Sequence, residues 1–219
     1  MQNLVGHFVA RNVKKIIFFV VCCCCLQTIN SQKLVKKSIV NADIAFFKID
    51  VLNCFDLKIE TALTPEMTIE AAIDGEYNKD LLLTIKEEGS TIFVTTGFQP
   101  NFINPNDKLS AHKVVSIALR IQIPEQKSVH IFGTSCNVLA KGVYQNFDVS
   151  LSDGRCELLE VSETADIKTQ SGIIIARYSK GTAIAESEYG SIEKDMIPKG
   201  DNLYNLHSVT GNIIIKRVE

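Results

Sequence analysis

The segments that decide the fold are SGIIIARY, residues 171–178, and TGNIIIKR, residues 210–217. Each contains a glycine, then a run of isoleucines, then a basic residue. The same pattern recurs, more loosely written, five times between residues 128 and 219. Its turn position is occupied at spacings of 18, 18, 18 and 21 residues by Cys136, Gly154, Gly172, Gly190 and Gly211.

Two columns of apolar residues keep a fixed distance from this turn. The column two residues after the turn contains Val138, Cys156, Ile174, Ile192 and Ile213. A second column, five residues before the turn, contains Ile131, Val149, Ile167 and Leu206, with Ile184 in the fourth repeat if one extra residue is allowed. Repeats of this length are single supersecondary units that bury their apolar side by stacking on neighbours. We therefore expect a β-solenoid of five coils over residues 128–219, and a β-sandwich built from hairpins is the alternative.

Residues 32–127 are predicted to form a region of short β-strands continuous with the repeats. SIVNADIAFFKIDV, residues 38–51, alternates apolar and polar residues, as half-buried strands do. LLLTIKEEGSTIFVTTG, residues 81–97, predicts a hairpin that turns near Gly89. No segment of the mature chain keeps a helical apolar period over three turns, so the predicted class is all-β.

The first 31 residues predict a secretory signal peptide. Arg11, Lys14 and Lys15 precede an apolar run of eleven residues, 16–26, and a small polar exit ending at Ser31. An eleven-residue helix is too short to cross a bilayer, so we expect no stable transmembrane segment after cleavage. A lipoprotein is the alternative, although Cys22 to Cys25 follow only Val or Cys rather than a small residue.

Charge and cysteine content argue against two classes of protein, nucleic-acid-binding proteins and disulfide scaffolds. The formal charge is −2 for the whole chain and −5 without residues 1–31, which argues against nucleic-acid binding. Cys54, Cys136 and Cys156 remain after cleavage, an odd number that does not predict a disulfide scaffold. In the predicted stack, Cys136 and Cys156 are one coil and two residues apart, about 8 Å, which is too far for a bridge.

Two places are candidate binding surfaces. The segment FQPNFINPNDKLSA, residues 98–111, is a long aperiodic loop that carries Phe98, Phe102 and Ile103. These side chains either meet a partner or cap the core. The column three residues after the turn is partly apolar and contains Leu139, Glu157, Ile175, Glu193 and Ile214. Ile175 and Ile214 would dock a partner there, or cover the N-terminal strands.

A third group, His130, Asp148 and Asp166, has the residue types of a metal or acid–base site. All three lie six residues before a turn and are expected to stack on the outer face. A solvated polar ladder is the simpler interpretation, because nothing else converges on them. No catalytic residues, metal or cofactor are therefore predicted.

The repeats resemble a bacterial family of putative adhesins, described as putative auto-transporter adhesins with a head GIN domain or as a domain of unknown function. The resemblance is carried by IALRIQIPEQKSVHIFG, residues 117–133, and by SDG, QSG, EYG and VTGNI, each followed by an apolar strand. It implies a single-stranded right-handed β-helix-like stack, export from the cytoplasm and no established enzymatic activity. Cys136 departs from the pattern, because the family has glycine at that turn.

These observations predict an exported, non-enzymatic β-repeat protein that acts as an adhesin or in envelope interaction. Its partner would be an envelope protein or a glycan. Its location would be the periplasm, the outer-membrane surface or the medium. A periplasmic sensor or scaffold in envelope signalling is one alternative, and a carbohydrate-active β-helix enzyme is another.

Overall fold

A computed structural model describes residues 33–75, 81–99 and 115–218. The predicted signal peptide, Phe102 and Ile103 lie outside these ranges. The described residues contain thirteen β-strands and no helix, hence none that could span a membrane. The predicted all-β class is confirmed.

The strands are numbered in chain order. They are β1 (Lys33–Val40), β2 (Phe46–Asp50), β3 (Asp56–Ala62), β4 (Glu66–Gly75), β5 (Leu81–Glu88), β6 (Thr91–Phe98), β7 (Val115–Pro124), β8 (Lys127–Thr169), β9 (Ile173–Tyr178), β10 (Thr182–Ser187), β11 (Ile192–Lys194), β12 (Leu203–Ser208) and β13 (Ile213–Arg217).

Parallel pairing organises these strands into two ladders. In the first ladder, β6 pairs with β2, β2 with the start of β8, the end of β8 with β12, and β12 with β10. In the second ladder, β7 pairs with β3, and β3 pairs with residues 137–141 of β8. Residues 155–159 of β8 pair with β9, β9 pairs with β13, and β13 pairs with β11. The long β8 therefore supplies segments to both ladders.

Antiparallel strands cover one end of each ladder. The predicted hairpin is confirmed, because β5 pairs antiparallel with β6 in the register Glu88↔Thr91. On the second ladder, β4 pairs antiparallel with β7, and β1 with β4. These additions make β5 and β1 the last strands of the connected path.

The spatial order of the last strands differs from the predicted one. Sequential coils would place β11 on β9, but β13 lies between them, with Ile213 opposite both Ile174 and Ile192. In the same way β12 lies between β8 and β10. The strand order is mixed at this end, and SGIIIARY and TGNIIIKR are direct neighbours rather than two coils apart.

The difference has a physical reason in the side chains of the two segments. The inner pair, β12 and β13, buries Tyr204, Leu206, Ile213 and Ile215, each at most 2% exposed. The outer pair, β10 and β11, directs small alanines inward, and its Ile192 is 44% exposed. The more apolar segment occupies the position with neighbours on both sides, since apolar burial is the main favourable term.

The turns stack closely, in the spatial order Cys136, Gly154, Gly172, Gly211, Gly190. A Cβ atom on Gly211 would lie 2.1 Å from the Gly172 carbonyl oxygen. One on Gly154, whose φ is +102°, would lie 2.3 Å from the Cys136 carbonyl oxygen. Glycine is therefore required here by close backbone approach.

Candidate binding groove

The residues predicted for binding lie in different environments. Phe98 ends β6 and is 38% exposed, while its loop partners Phe102 and Ile103 are outside the described residues. Ile175 and Ile214 are cross-strand neighbours on β9 and β13. Ile175 is only 6% exposed and Ile214 is half-buried, so this part of the column presents little apolar surface.

The core column divides according to the strand order. Val138, Cys156, Ile174 and Ile213 are buried, whereas Ile192 on the outermost strand is exposed. The three cysteines of the described chain, Cys54, Cys136 and Cys156, are buried free thiols. Burial raises the pKa of Cys54 to about 11 and that of Cys136 to about 12, and it raises that of Cys156 further. These thiols are packing groups rather than nucleophiles.

Beside Ile175, the same outward column becomes charged. Glu157 on β8 accepts hydrogen bonds from Arg155 Nη2 and Arg177 Nε, both at 2.8 Å. Burial alone would raise the pKa of this carboxyl group. The hydrogen bond from Arg177 and the charge of Arg155 outweigh it and hold the pKa below its usual value. The carboxylate of Glu157 is therefore fully paired with two arginine side chains.

Further along the second ladder, five strands expose two rows of side chains in cross-strand register. The strands are β1, β4, β7, β3 and β8, in that order. The first row is Lys36, Glu70, Arg120, Lys58 and Leu139. The second row, two residues along each strand, is Ser38, Thr68, Gln122, Glu60 and Lys141.

Apart from Ser38, the side chains of these rows line a groove of about 520 Å³ on the outer face of the sheet. This volume is within the usual range for small-ligand sites. Leu139 and Leu159 give the groove an apolar part at one end. We call this surface the charged groove, because its two rows contain four cations and two carboxylates on a chain whose net charge is −2.

The cations of the charged groove differ in their partners. Lys36 Nζ lies 2.7 Å from Glu70 Oε1, and this hydrogen-bonded pair raises the pKa of Lys36 and lowers that of Glu70. Lys58, Arg120 and Lys141 form no side-chain hydrogen bond or ion pair with any residue in the described ranges. Arg120 and Lys58 are directly opposite each other on β7 and β3.

The column of His130, Asp148 and Asp166 lies on the outer side of the first ladder. His130 is opposite Lys48, its ring centroid is 5.6 Å from that of Phe132, and Asp166 pairs with Lys168 at 3.0 Å. Burial raises the pKa of Asp148; the charge of His130 opposes this and that of Asp166 adds to it. Within the described part of the chain, no group of three or more His, Cys, Asp or Glu side chains is arranged to hold a metal ion.

The described residues thus define an all-β protein of parallel ladders with a groove of mixed charge on one sheet face. No family model matches the sequence, and no curated protein matches it. The fold is similar to the crystal structure of a putative cell adhesion protein from Clostridium sporogenes, with a TM-score of 0.59 and 13% identity, covering 85% of this chain and 100% of that one.

Two further solved structures align less well. They are putative adhesins from Bacteroides fragilis, at 12% identity over 86% of this chain and 99% of that one, and from Parabacteroides distasonis, at 13% identity over 86% and 98%. Their TM-scores are 0.32 and 0.30. At these identities the likeness concerns the fold alone, and the structure that supports it is the Clostridium sporogenes protein.

Proposed function

We propose that this chain is an exported, non-enzymatic binding protein of the adhesin type, in which a β-solenoid-like stack serves as a rigid support for binding surfaces. The proposal extends the fold likeness to the Clostridium sporogenes protein, whose whole length aligns with this chain. It also joins that likeness to the predicted signal peptide at residues 1–31 and to the adhesin-type repeats.

The observation that carries the binding role is the charged groove. Its side chains project from adjacent strands of a continuous sheet, so their spacing is fixed by backbone hydrogen bonds. Sites built on strands are held more rigidly than sites on loops. A rigid surface with three unpaired cations, two carboxylates and neutral polar groups suits recognition of a partner, which we expect to be an envelope component such as a glycan or a protein.

Export and binding can be tested with the full chain. We expect that, in a bacterial host, the chain with a C-terminal tag is cleaved near Ser31 and recovered outside the cytoplasm. The product purified from that fraction should bind isolated envelope preparations above a matched exported control protein. An uncleaved cytoplasmic product would contradict export, and an exported product without envelope binding would contradict the adhesin role.

A further inference from the structure

The charged groove contains a like-charge pair that the fold compensates only in part, because Glu70 lies opposite Arg120 and Glu60 lies two residues after Lys58 without either forming an ion pair with these cations. Arg120 on β7 and Lys58 on β3 are direct cross-strand partners, and like charges in such positions destabilise a sheet. The neighbouring carboxylate on the Arg120 side, Glu70, is held at 2.7 Å by Lys36. Neither cation has a hydrogen-bonded or ion-pair partner among the described residues. An anion seated between them would relieve this repulsion.

The second row of the groove indicates what kind of anion fits. Next to Arg120 along β7 lies Gln122, whose Nε2 makes a long hydrogen bond of 3.5 Å to Glu60 Oε1, and next to Glu70 along β4 lies Thr68. An amide and a hydroxyl group can donate to and accept from hydroxyl groups. A ligand that carries an oxyanion beside several hydroxyl groups would therefore satisfy both rows.

The backbone around the groove disfavours an extended peptide as ligand. Peptides that bind sheets usually add a strand at an edge, where main-chain groups are free. Here β4, β7 and β3 are each paired on both sides, so their main-chain groups are committed to the ladder. Recognition in the charged groove must come from side chains, as it does for acidic sugars.

We propose that the charged groove binds an acidic glycan, with a carboxylate or sulfate group held between Arg120 and Lys58 and with sugar hydroxyl groups at Gln122 and Thr68. Arg120 supplies the planar donor fork that matches a carboxylate or sulfate. Lys141, about 8 Å from Lys58 by strand geometry, meets a second anionic group along the same glycan. The inference rests on the proposed binding function and names the ligand class of its groove.

Calorimetric titration of the exported, purified protein tests this proposal with four polymers of similar length. Oligogalacturonate presents carboxylates, dextran sulfate presents sulfates, dextran is neutral, and polyglutamate is an acidic peptide. We expect binding of one or both acidic glycans, weakened by added salt, with little binding of dextran or polyglutamate. The carboxylate and sulfate arms distinguish the two sources of the anion.

Substitutions assign that binding to the groove. The double variant Lys58→Gln with Arg120→Gln should lose about tenfold or more in affinity, because charge-assisted hydrogen bonds are removed. The control, Lys180→Gln with Lys199→Gln, makes the same change in charge at two exposed lysines far along the chain and should bind like the wild type. The Lys58 and Arg120 variant should unfold at an unchanged or higher temperature, since it removes a like-charge pair.

The proposal would be overturned by no binding of either acidic glycan, by equal binding of polyglutamate, or by unchanged affinity in the Lys58 and Arg120 variant. An equal loss of affinity in the control variant would also overturn it, because it would indicate a diffuse charge effect. If the wild-type protein still bound envelope preparations in these cases, the proposed adhesin role would stand with a different ligand or a different binding site.

Discussion

Truncation of Ile213 and of Ile192 to alanine should have very different effects on stability, although both occupy the column two residues after a turn. Ile213 is 0% exposed and lies between Ile174 and Ile192, whereas Ile192 is 44% exposed and has one strand neighbour, β13. Removing a fully buried isoleucine side chain costs about 2–5 kcal/mol, because transfer and cavity terms add. A half-exposed site without a cavity loses only part of the transfer term, about 1 kcal/mol.

The assay is urea unfolding of the exported protein, followed by circular dichroism. We expect Ile213→Ala to lower the free energy of unfolding by about 1–4 kcal/mol more than Ile192→Ala. Ile213→Val should cost about 0.5–1.5 kcal/mol and serves as a graded control. Equal costs at the two positions would refute the reasoning, because coils stacked in chain order would bury Ile192 between its neighbours and leave Ile213 at the end.

Three further predictions follow from the turns, the thiols and the carboxylate cluster. Gly211→Ala should lower the free energy of unfolding by about 2 kcal/mol or more, because its Cβ would lie 2.1 Å from a carbonyl oxygen. The control, Gly89→Ala, should lower the free energy of unfolding by only about 1 kcal/mol, because a Cβ there has no neighbour within 4 Å. A thiol reagent at pH 8 should label Cys54, Cys136 and Cys156 only after unfolding, and rapid labelling of the native protein would contradict their burial. The pKa of Glu157 is depressed in the folded state, so its stabilising contribution is complete above its ordinary pKa of 4.5 and is lost as the pH falls through the folded value. The wild type should therefore be more stable than Glu157→Gln above pH 4.5, and this difference in the free energy of unfolding should shrink at lower pH. A difference that did not depend on pH would contradict the ion-pair cluster.

The columns and turns of the C-terminal half could be predicted from the sequence because they are local. A glycine in constant phase with apolar residues reports which side chains face inward in each repeat, and Gly154, Gly172, Gly190 and Gly211 do stack. The order of the repeats is not local. Identical columns are compatible with any permutation of coils, so periodicity alone could not place β13 on β9.

The apolar character of the segments nevertheless indicates the observed order of the strands. The segment that contains Tyr204, Leu206 and Ile215 is more apolar than the one that contains Ala183 and Ala185. End repeats of stacked proteins are usually the more polar ones. This comparison would have placed residues 182–194 at the end of the stack.

The charged groove could not be predicted from the sequence for a different reason. Its two rows come from five strands, and the central pair, Lys58 and Arg120, is 62 residues apart in the chain. Each residue reads in the sequence as an ordinary exposed position of an alternating strand. Only the pairing of β3 with both β7 and β8 brings the cations together, and long-range parallel pairing leaves no local pattern.

The position of β3 between β7 and β8 is therefore the central claim, and engineered disulfides test it most directly. In the register described, Glu60 is opposite both Gln122 and Lys141. The variants Glu60→Cys with Gln122→Cys and Glu60→Cys with Lys141→Cys should each form a disulfide under mild oxidation, because neighbouring strands lie about 4.8 Å apart. Gln122→Cys with Lys141→Cys spans two strand intervals, about 10 Å, and should not. Cross-linking of this third pair, with failure of either of the first two, would contradict the account.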